Sequence, residues 1–578
     1  MSERASSSPR VRPWMLGLWL GFALLTAAIA FAGWLVEAPQ LHLSGGRAVE
    51  NAAFMTLRVF TLDEAYDKLQ QDGANGLLLW ARWMGFGVVL STVAIAGLAL
   101  FRTQISAVLA DQRRGHTLVI GDHEMADALA SEGARRGLKV IHISAEVAEP
   151  EQAGGLITLP RIAGEDPLVA GRATYARRIV IAEADLGASI ETAMQALAKL
   201  PAASSDPARV AVHLDDPIIA ERVHHAPGGA NLFAFSEAQA AARAVMLRHP
   251  PFLLARRLEA KAVHVLVIGF GRLGQAVVRD VALNSLVSDL DAPHITVIDT
   301  RADEVEGAFL HTHPEFAEAG HFVVCRDLDD AGFGRDKPPV CAVYVCLRDS
   351  AEALSSAITL SDRASRHDHI QGPIFVRLRS GGPLRPPSGT QGLEPRRIYS
   401  FGGLADAAAS SLALDPDPDA DAKAVHQVYA DIGGYSATPW AELSEEMRVS
   451  NRRVISHVPA KLASAGFDLE PWLALPDAER AWPPKLAAGE TLYPDQADRL
   501  EAARLEHDRW MADRRVNGWR YGPQRDNARK LQPFLRPFDE LAKDVQGYDY
   551  AIVDWLGGYV AGGDGPGALR RTGQPAVR

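Results

Sequence analysis

The stretch VHVLVIGFGRLGQAVVRD, residues 263–280, decides the fold. Its first six residues form a short apolar run rich in valine, which reads as a buried strand. Gly269, Gly271 and Gly274 follow at the spacing G-x-G-x-x-G, and LGQAVVRDVAL (273–283) then has helical periodicity. In a strand–turn–helix unit the first glycine permits the tight turn. The second lets backbone approach a phosphate, and the third lets helix and strand pack closely. The helix start offers unsatisfied N–H groups and the positive end of a dipole to an anion. The next run, HITVID (294–299), ends in Asp299, placed to accept hydrogen bonds from ribose hydroxyls. Arg301 follows two residues later, placed to meet a 2′-phosphate or stack on adenine. The candidate cofactor-binding residues are therefore Gly269, Gly271, Arg272, Gly274, Asp299 and Arg301, and the expected cofactor is NAD(H) or another adenine nucleotide. The structural alternative is that the glycines serve backbone packing alone.

Working outward, strand-like runs occur in two series. The first comprises 117–120, 139–143, 156–159, 178–182, 209–214 and 231–236. The second comprises 263–268, 294–299, 322–325, 342–347, 374–379 and 396–401. From the third strand onward the two are offset by about 165 residues, the signature of a duplicated domain. Continuous apolar strands alternating with helices imply parallel sheets covered on both faces. The fold class expected is membrane α-helical (two spans) plus α/β: tandem doubly wound Rossmann-type domains at 115–246 and 262–411. The first copy has a degenerate motif, with Gly121 retained but His123 and Ala126 at the other positions and Ser144 ending its second strand. It reads as structural.

The chain begins differently. Trp14–Val36 is a run of 23 residues without a charge, about 34 Å as a helix and enough to span a bilayer. A second uncharged run, Trp83–Phe101, is preceded by Trp80 and Arg82. The expected spans are 14–36 and 77–101, with a cytoplasmic N-terminus at 1–13 and an external loop at 37–76. Arg4, Arg10, Arg12, Arg102, Arg113 and Arg114 flank the spans. The loop holds only Arg47, Arg58 and Lys68 against six acids. That bias places both termini and the large domains in the cytoplasm of a multi-pass protein of the inner (plasma) membrane, with membrane lipid as a partner. Gly17 and Gly21 form a GxxxG step suited to close helix approach. In the loop, AAFMTLRVF (52–60) reads as an interfacial or re-entrant helix, and Thr61 with Glu64 has capping-box spacing.

Composition excludes several classes. The 578 residues carry a net charge of −11 with a pI near 5.9, which argues against nucleic acid as a partner. Only Cys325, Cys341 and Cys346 occur, without a CxxC pair, so they read as buried small hydrophobes rather than a disulfide or metal framework. No triad, paired-carboxylate or metal pattern stands out, and the chain is not read as an enzyme.

TLVIGDHEMADALA with ARRIVIAEADLGASIETA, and VLVIGFGRLGQAVV with AVYVCLRDSAEAL, resemble TrkA-N or RCK domains, regulators of potassium conductance. The resemblance covers roughly residues 115–410. It implies that ligand binding to paired Rossmann domains gates an attached pore, in a homodimer or homotetramer. Residues 37–76 contain nothing like TVGYG, so a potassium-selective filter is not expected there.

DPDPDADAK lies in the expected linker at 412–423. LEHDRWMADRRVNGWRYGPQRDNARKLQPFLRPFDEL (505–541) resembles the RyR repeat of ryanodine receptors, within an expected domain at 424–560. Trp510, Trp519, Arg520, Tyr521 and Arg525 are its candidate ligand-binding residues, with stacking rings and guanidinium groups for phosphates. The competing reading puts the rings in the core. The tail at 561–578 has the composition of a disordered end. The function expected is a membrane-embedded nucleotide sensor acting as an RCK-type gated channel on a small phosphorylated ligand. The alternatives are a pore-less membrane-anchored scaffold and a tethered NAD(P)-dependent oxidoreductase.

Overall fold

A computed structural model describes residues 13–61, 75–100, 102–145, 155–200, 209–224, 232–314, 316, 322–333, 337–364, 369–433, 438–477 and 479–572. The chain divides into two compact units with the main boundary at Gln112/Arg113, Ile157–Pro160 being grouped with the first.

In the first unit, helices Pro13–Glu37 and Gly76–Leu100 pair as a hairpin. Both are long and apolar enough to cross a membrane. Leu18, Leu24, Trp80 and Val93 are each more than 60% exposed, an apolar surface that a water-soluble hairpin would bury. Polar groups fasten its two ends. Trp19 donates to Ser91 Oγ (3.2 Å), and Asn75 donates to Glu37 (2.9 Å) and to the Gly33 carbonyl (3.0 Å). Helix Gly46–Arg58 lies against the first span through buried Ala48, Ala52 and Thr56. It begins earlier than the apolar stretch at 52–60 suggested. Among the described residues a Cβ at Gly17 or Gly21 would meet nothing within 4 Å, so the GxxxG step is not a close contact between the two candidate membrane helices there. The Thr61–Glu64 capping box extends beyond the described residues, as do Arg4, Arg10 and Arg12.

After Arg113 the chain forms six parallel strands: β1 (His116–Ile120), β2 (Val140–Ser144), β3 (Leu156–Pro160), β4 (Ala176–Ile181), β5 (Arg209–His213) and β6 (Leu232–Phe235). Their order is β3-β2-β1-β4-β5-β6. The second sheet contains β7 (Ala262–Ile268), β8 (Asp291–Ile298), β9 (Phe322–Cys325), β10 (Ala342–Val345), β11 (Ile374–Arg377) and β12 (Ile398–Phe401). Its order, β12-β11-β10-β7-β8-β9, is the same order again, the doubly wound arrangement expected for each copy. The central strands β1, β7 and β10 are buried on both faces, which explains their unbroken apolar runs.

The copies exchange their last helices. Glu237–Arg248, after β6, packs on Arg272–Asn284 of the second copy. Leu404–Ser410, after β12, packs on Glu124–Arg135 of the first, and the exchanged helices touch each other. Ion pairs stitch the seam. Buried Glu237 accepts from Arg377 (3.1 Å) and Arg379 (3.0 Å), and Arg379 also meets Glu124 (2.9 Å). Cys325, Cys341 and Cys346 are all buried and unbonded, and burial pushes the Cys341 thiol up to about 12.

Two expectations are corrected. Residues 412–423 are not a free linker. Ala413 and Leu414 are buried, Asp415 pairs with Arg136 (2.8 Å) and Asp417 with Arg209 (2.9 Å), and a helix already begins at Ala420. Two of the acids that made the segment look solvated, Asp415 and Asp417, are ion-pair partners of the first copy, and Asp419 pairs with Arg452. Residues 561–572 of the tail are ordered as well. Leu569 is fully buried and bonds through its N–H to the Lys485 carbonyl, and Arg571 donates to the carbonyls of Ala465 (2.6 Å) and Leu492 (3.0 Å). Glycine-rich composition hid a strap held by backbone hydrogen bonds and by the Arg571 guanidinium. Residues 573–578 lie outside the described residues.

The C-terminal module is built on helices Glu445–Ser456, Gln496–Val516 and Lys543–Val560. It is fastened to the second Rossmann copy by His313–Val516 O (2.7 Å), His457–Leu286 O (2.9 Å) and Ser456–Asn284 (3.0 Å).

Candidate functional site

The glycine loop joins β7 to helix Arg272–Asn284. Gly269 has φ +87°, a conformation side chains rarely adopt, and a Cβ there would meet Leu347 at 2.8 Å. A Cβ at Gly274 would stand 2.1 Å from the Gly269 carbonyl oxygen. Backbone conformation and helix–strand packing therefore account for both of these glycines. Gly271 is different. Its backbone (φ −71°, ψ −169°) suits any residue, and a Cβ would meet nothing within 4 Å. Among the described residues, neither backbone conformation nor packing requires glycine at this position. Gly271 is also the N-cap of the helix, and no side chain caps the first turn. The cradle is open above a helix start with unclaimed N–H groups.

Asp299, just past the end of β8, is half-buried beside this loop. Its carboxylate accepts from the N–H groups of Phe270 (2.9 Å) and Arg301 (2.9 Å). It thus holds the loop in shape and retains lone pairs for further donors. Arg301 is exposed, with Glu304 at 3.5 Å. Arg272 points away from the cradle's own strand edge and across the seam, where it pairs with Asp215 of the first copy (2.9 Å). Burial pushes the Asp215 carboxyl up, but His213, Ser236 and Arg272 outweigh that and hold it well below the usual range.

The equivalent place in the first copy is closed from within. Gly121 has φ +137°, with a Cβ clash at the Ala182 carbonyl, so it too is explained by the backbone. His123 stands where Gly271 stands and is the N-cap of helix Glu124–Arg135, its Nδ1 accepting from Met125 N–H (3.1 Å). Burial, then the neighbouring His213, pushes His123 below its ordinary value and favours the neutral imidazole that can accept. Ser144 is occupied with Asp122 (3.3 Å). In this copy an imidazole stands at the position of Gly271 and caps the helix start.

In the C-terminal module the five candidate ligand residues do not converge. Trp519 is 3% exposed, packed with Met511 and Leu535, and donates Nε1–H to Glu446 (2.6 Å). Trp510 stacks on His507, and Arg514 lies over both indoles. Arg520, Tyr521 and Arg525 are exposed on a separate surface, where Arg536 lies over the Tyr521 ring at 5.0 Å. Trp519 lies in the core, Trp510 packs half-buried against it, and Tyr521 is exposed, so the competing reading fits Trp519 alone in full. Sequence alone does not single out Asp215 or Glu237, whose arginine partners across the seam lie 57 or more residues away. It also gave no role to the charge network within the module, where Glu506, Arg509 and Lys461 are each at most 3% exposed.

Two candidate membrane helices, tandem Rossmann-type domains and a C-terminal RyR domain define the class of protein. Residues 496–554 match the family model for the RyR domain. No curated protein matches the chain. Among solved structures, the chain is similar to GsuK bound to ADP (15% identity, 69% of this chain and 98% of that one, TM-score 0.33). It is also similar to the GsuK channel bound to NAD (13%, 70% and 84%, 0.34) and to the GsuK RCK domain (13%, 53% and 77%, 0.31). The fold assignment rests on the strand order itself.

Proposed function

We propose that this protein is a membrane-anchored sensor that binds an adenine nucleotide, NAD(H) or a relative, at the glycine loop of its second Rossmann copy. Gly271 carries the reading: it is the one glycine of the motif that neither backbone conformation nor packing calls for. A phosphate resting on the free N–H groups of the first helical turn supplies the missing reason. Asp299 would receive the ribose hydroxyls and Arg301 the adenine or a 2′-phosphate. The first copy, capped by His123, would serve as the wall against which the second moves.

The role proposed is regulatory rather than catalytic. A nucleotide that binds one arrangement of the two copies better than another shifts the population toward it. The output proposed is gated ion flux through a homodimeric or homotetrameric assembly of the two-span units in the inner membrane, with the large domains in the cytoplasm. Calorimetry of ADP and NADH binding to the intact protein and to Gly271→Val tests the site. The valine variant should keep the melting temperature of the parent and lose binding at least tenfold. Equal affinity in the two proteins would refute the assignment.

A further inference from the structure

A cleft of about 1740 Å³ opens between the two Rossmann copies and the C-terminal module. Its walls include helices Glu237–Arg248, Arg272–Asn284 and Glu445–Ser456. Most cations that line it are already committed. Arg248 pairs with Asp406 and Asp477, Arg452 with Asp419 and Glu445, Arg453 with Asp513, and Lys530 with Glu446 (3.1 Å). Among the described residues Arg222, Arg243, Arg279 and Arg385 line the cleft without an ion pair; Arg222 and Arg385 are exposed and Arg243 donates to the Ser410 carbonyl (3.2 Å), which leaves Arg279. It sits on the wall at the middle of helix Arg272–Asn284, and its Nε is shut off from water without an acceptor. Asp280 lines the same cleft, and burial pushes its carboxyl up despite Arg243, Arg453 and Arg279 nearby. Among the described residues, no ion pair joins it to Arg279.

Two of the paired cations, Arg453 beside Asp513 and Lys530 beside Glu446, line the same cleft as Arg279 and His313. Burial pushes His313 down to about 4, and the charges of Arg279, Arg453 and Lys530 push it the same way. Arg453 and Lys530 belong to the C-terminal module and Arg279 to the Rossmann copy. A buried guanidinium without an acceptor is a donor fork lacking its anion, and phosphate matches that fork with two parallel hydrogen bonds.

We propose that this cleft is a second ligand site, distinct from the glycine loop, which takes a soluble phosphorylated small molecule on Arg279, Arg453 and Lys530. Its volume exceeds that of a lone phosphate and suits a molecule of nucleotide size or larger. The ligand clamps the Rossmann copy to the RyR-containing module. Arg279 is seven residues from Arg272, about 10 Å along one helix, so the two sites share a rigid element.

The test uses the intact protein in detergent with inorganic pyrophosphate as probe and thermal unfolding as readout. In a Gly271→Val background, which removes the glycine-loop site, pyrophosphate still raises the melting temperature. Adding Arg279→Gln abolishes that rise. Arg279→Lys, which keeps the charge but not the fork, weakens the apparent affinity about tenfold and serves if the glutamine variant fails to fold. A rise that survives both Arg279 substitutions, no rise at all in the Gly271→Val protein, or an equal rise with sulfate at matched ionic strength overturns the proposal. Because Gly271 is varied separately, loss of the glycine-loop site leaves this result readable.

Discussion

Replacing Glu506 with glutamine removes one charge from a network sealed against water. Glu506 lies on helix Gln496–Val516 and is fully buried. It receives Arg509 through two hydrogen bonds (2.7 and 3.0 Å) and Lys461 at 2.7 Å. Burial alone would push the carboxyl up, but the two cations outweigh it and hold Glu506 at about 2. Glutamine keeps the shape and leaves two buried cations without a counter-charge. Breaking a buried pair from one side costs about 3–5 kcal/mol. A module of about 150 residues loses about 2–4 °C per kcal/mol, so the melting temperature should fall by roughly 6–20 °C. The exposed pair Arg504–Asp539 supplies the contrast, since such pairs contribute about 0–1 kcal/mol. The sign with pH follows from the depressed value. The Glu506 contribution is complete above its unfolded value of 4.5 and is lost as pH falls from there toward 2. Glu506→Gln should therefore flatten the acid limb in that window. Tryptophan fluorescence during heating, at neutral pH and through the acid range, measures both effects. A melting temperature within about 2 °C of the parent, or an unchanged acid limb, would refute the reasoning.

Two further outcomes separate packing from binding. Gly274→Ala forces a Cβ against the Gly269 carbonyl and should destabilise by about 1–3 kcal/mol, whereas Gly271→Ala, placed in open space, should leave the melting temperature unchanged. Trp519→Phe removes the hydrogen bond to Glu446 and leaves a void, costing about 1–3 kcal/mol in thermal unfolding, while Arg525→Ala on the exposed face stays within about 0.5 kcal/mol.

All twelve long strands were legible because parallel strands covered on both faces are written as continuous apolar runs. The repeat of about 165 residues showed that each run had a counterpart. Edges were read less well: β8 begins at Asp291, three residues before the apolar run, because backbone pairing with β7 continues past it. The glycine motif was legible as a pattern, but its three glycines looked alike in sequence. Only their surroundings separate Gly271 from Gly269 and Gly274. Asp215 and Glu237 were opaque for a common reason. Each acts across a seam between elements far apart in the chain, and a charged residue in a helix or loop looks solvated until its partner is known. Trp519 was ambiguous because an indole suits a core and a stacking platform equally well. Its buried Nε1–H, spent on Glu446, decides for the core.

The central claim is that a nucleotide phosphate rests on the first turn of helix Arg272–Asn284. Amide hydrogen exchange at Gly271, Arg272 and Leu273, with and without saturating ADP, addresses it most directly. The account predicts that these amides slow by about tenfold or more on ADP addition, while Met125 and its neighbours in the first copy do not change. Unchanged exchange at all three amides in protein shown to have bound ADP would contradict it.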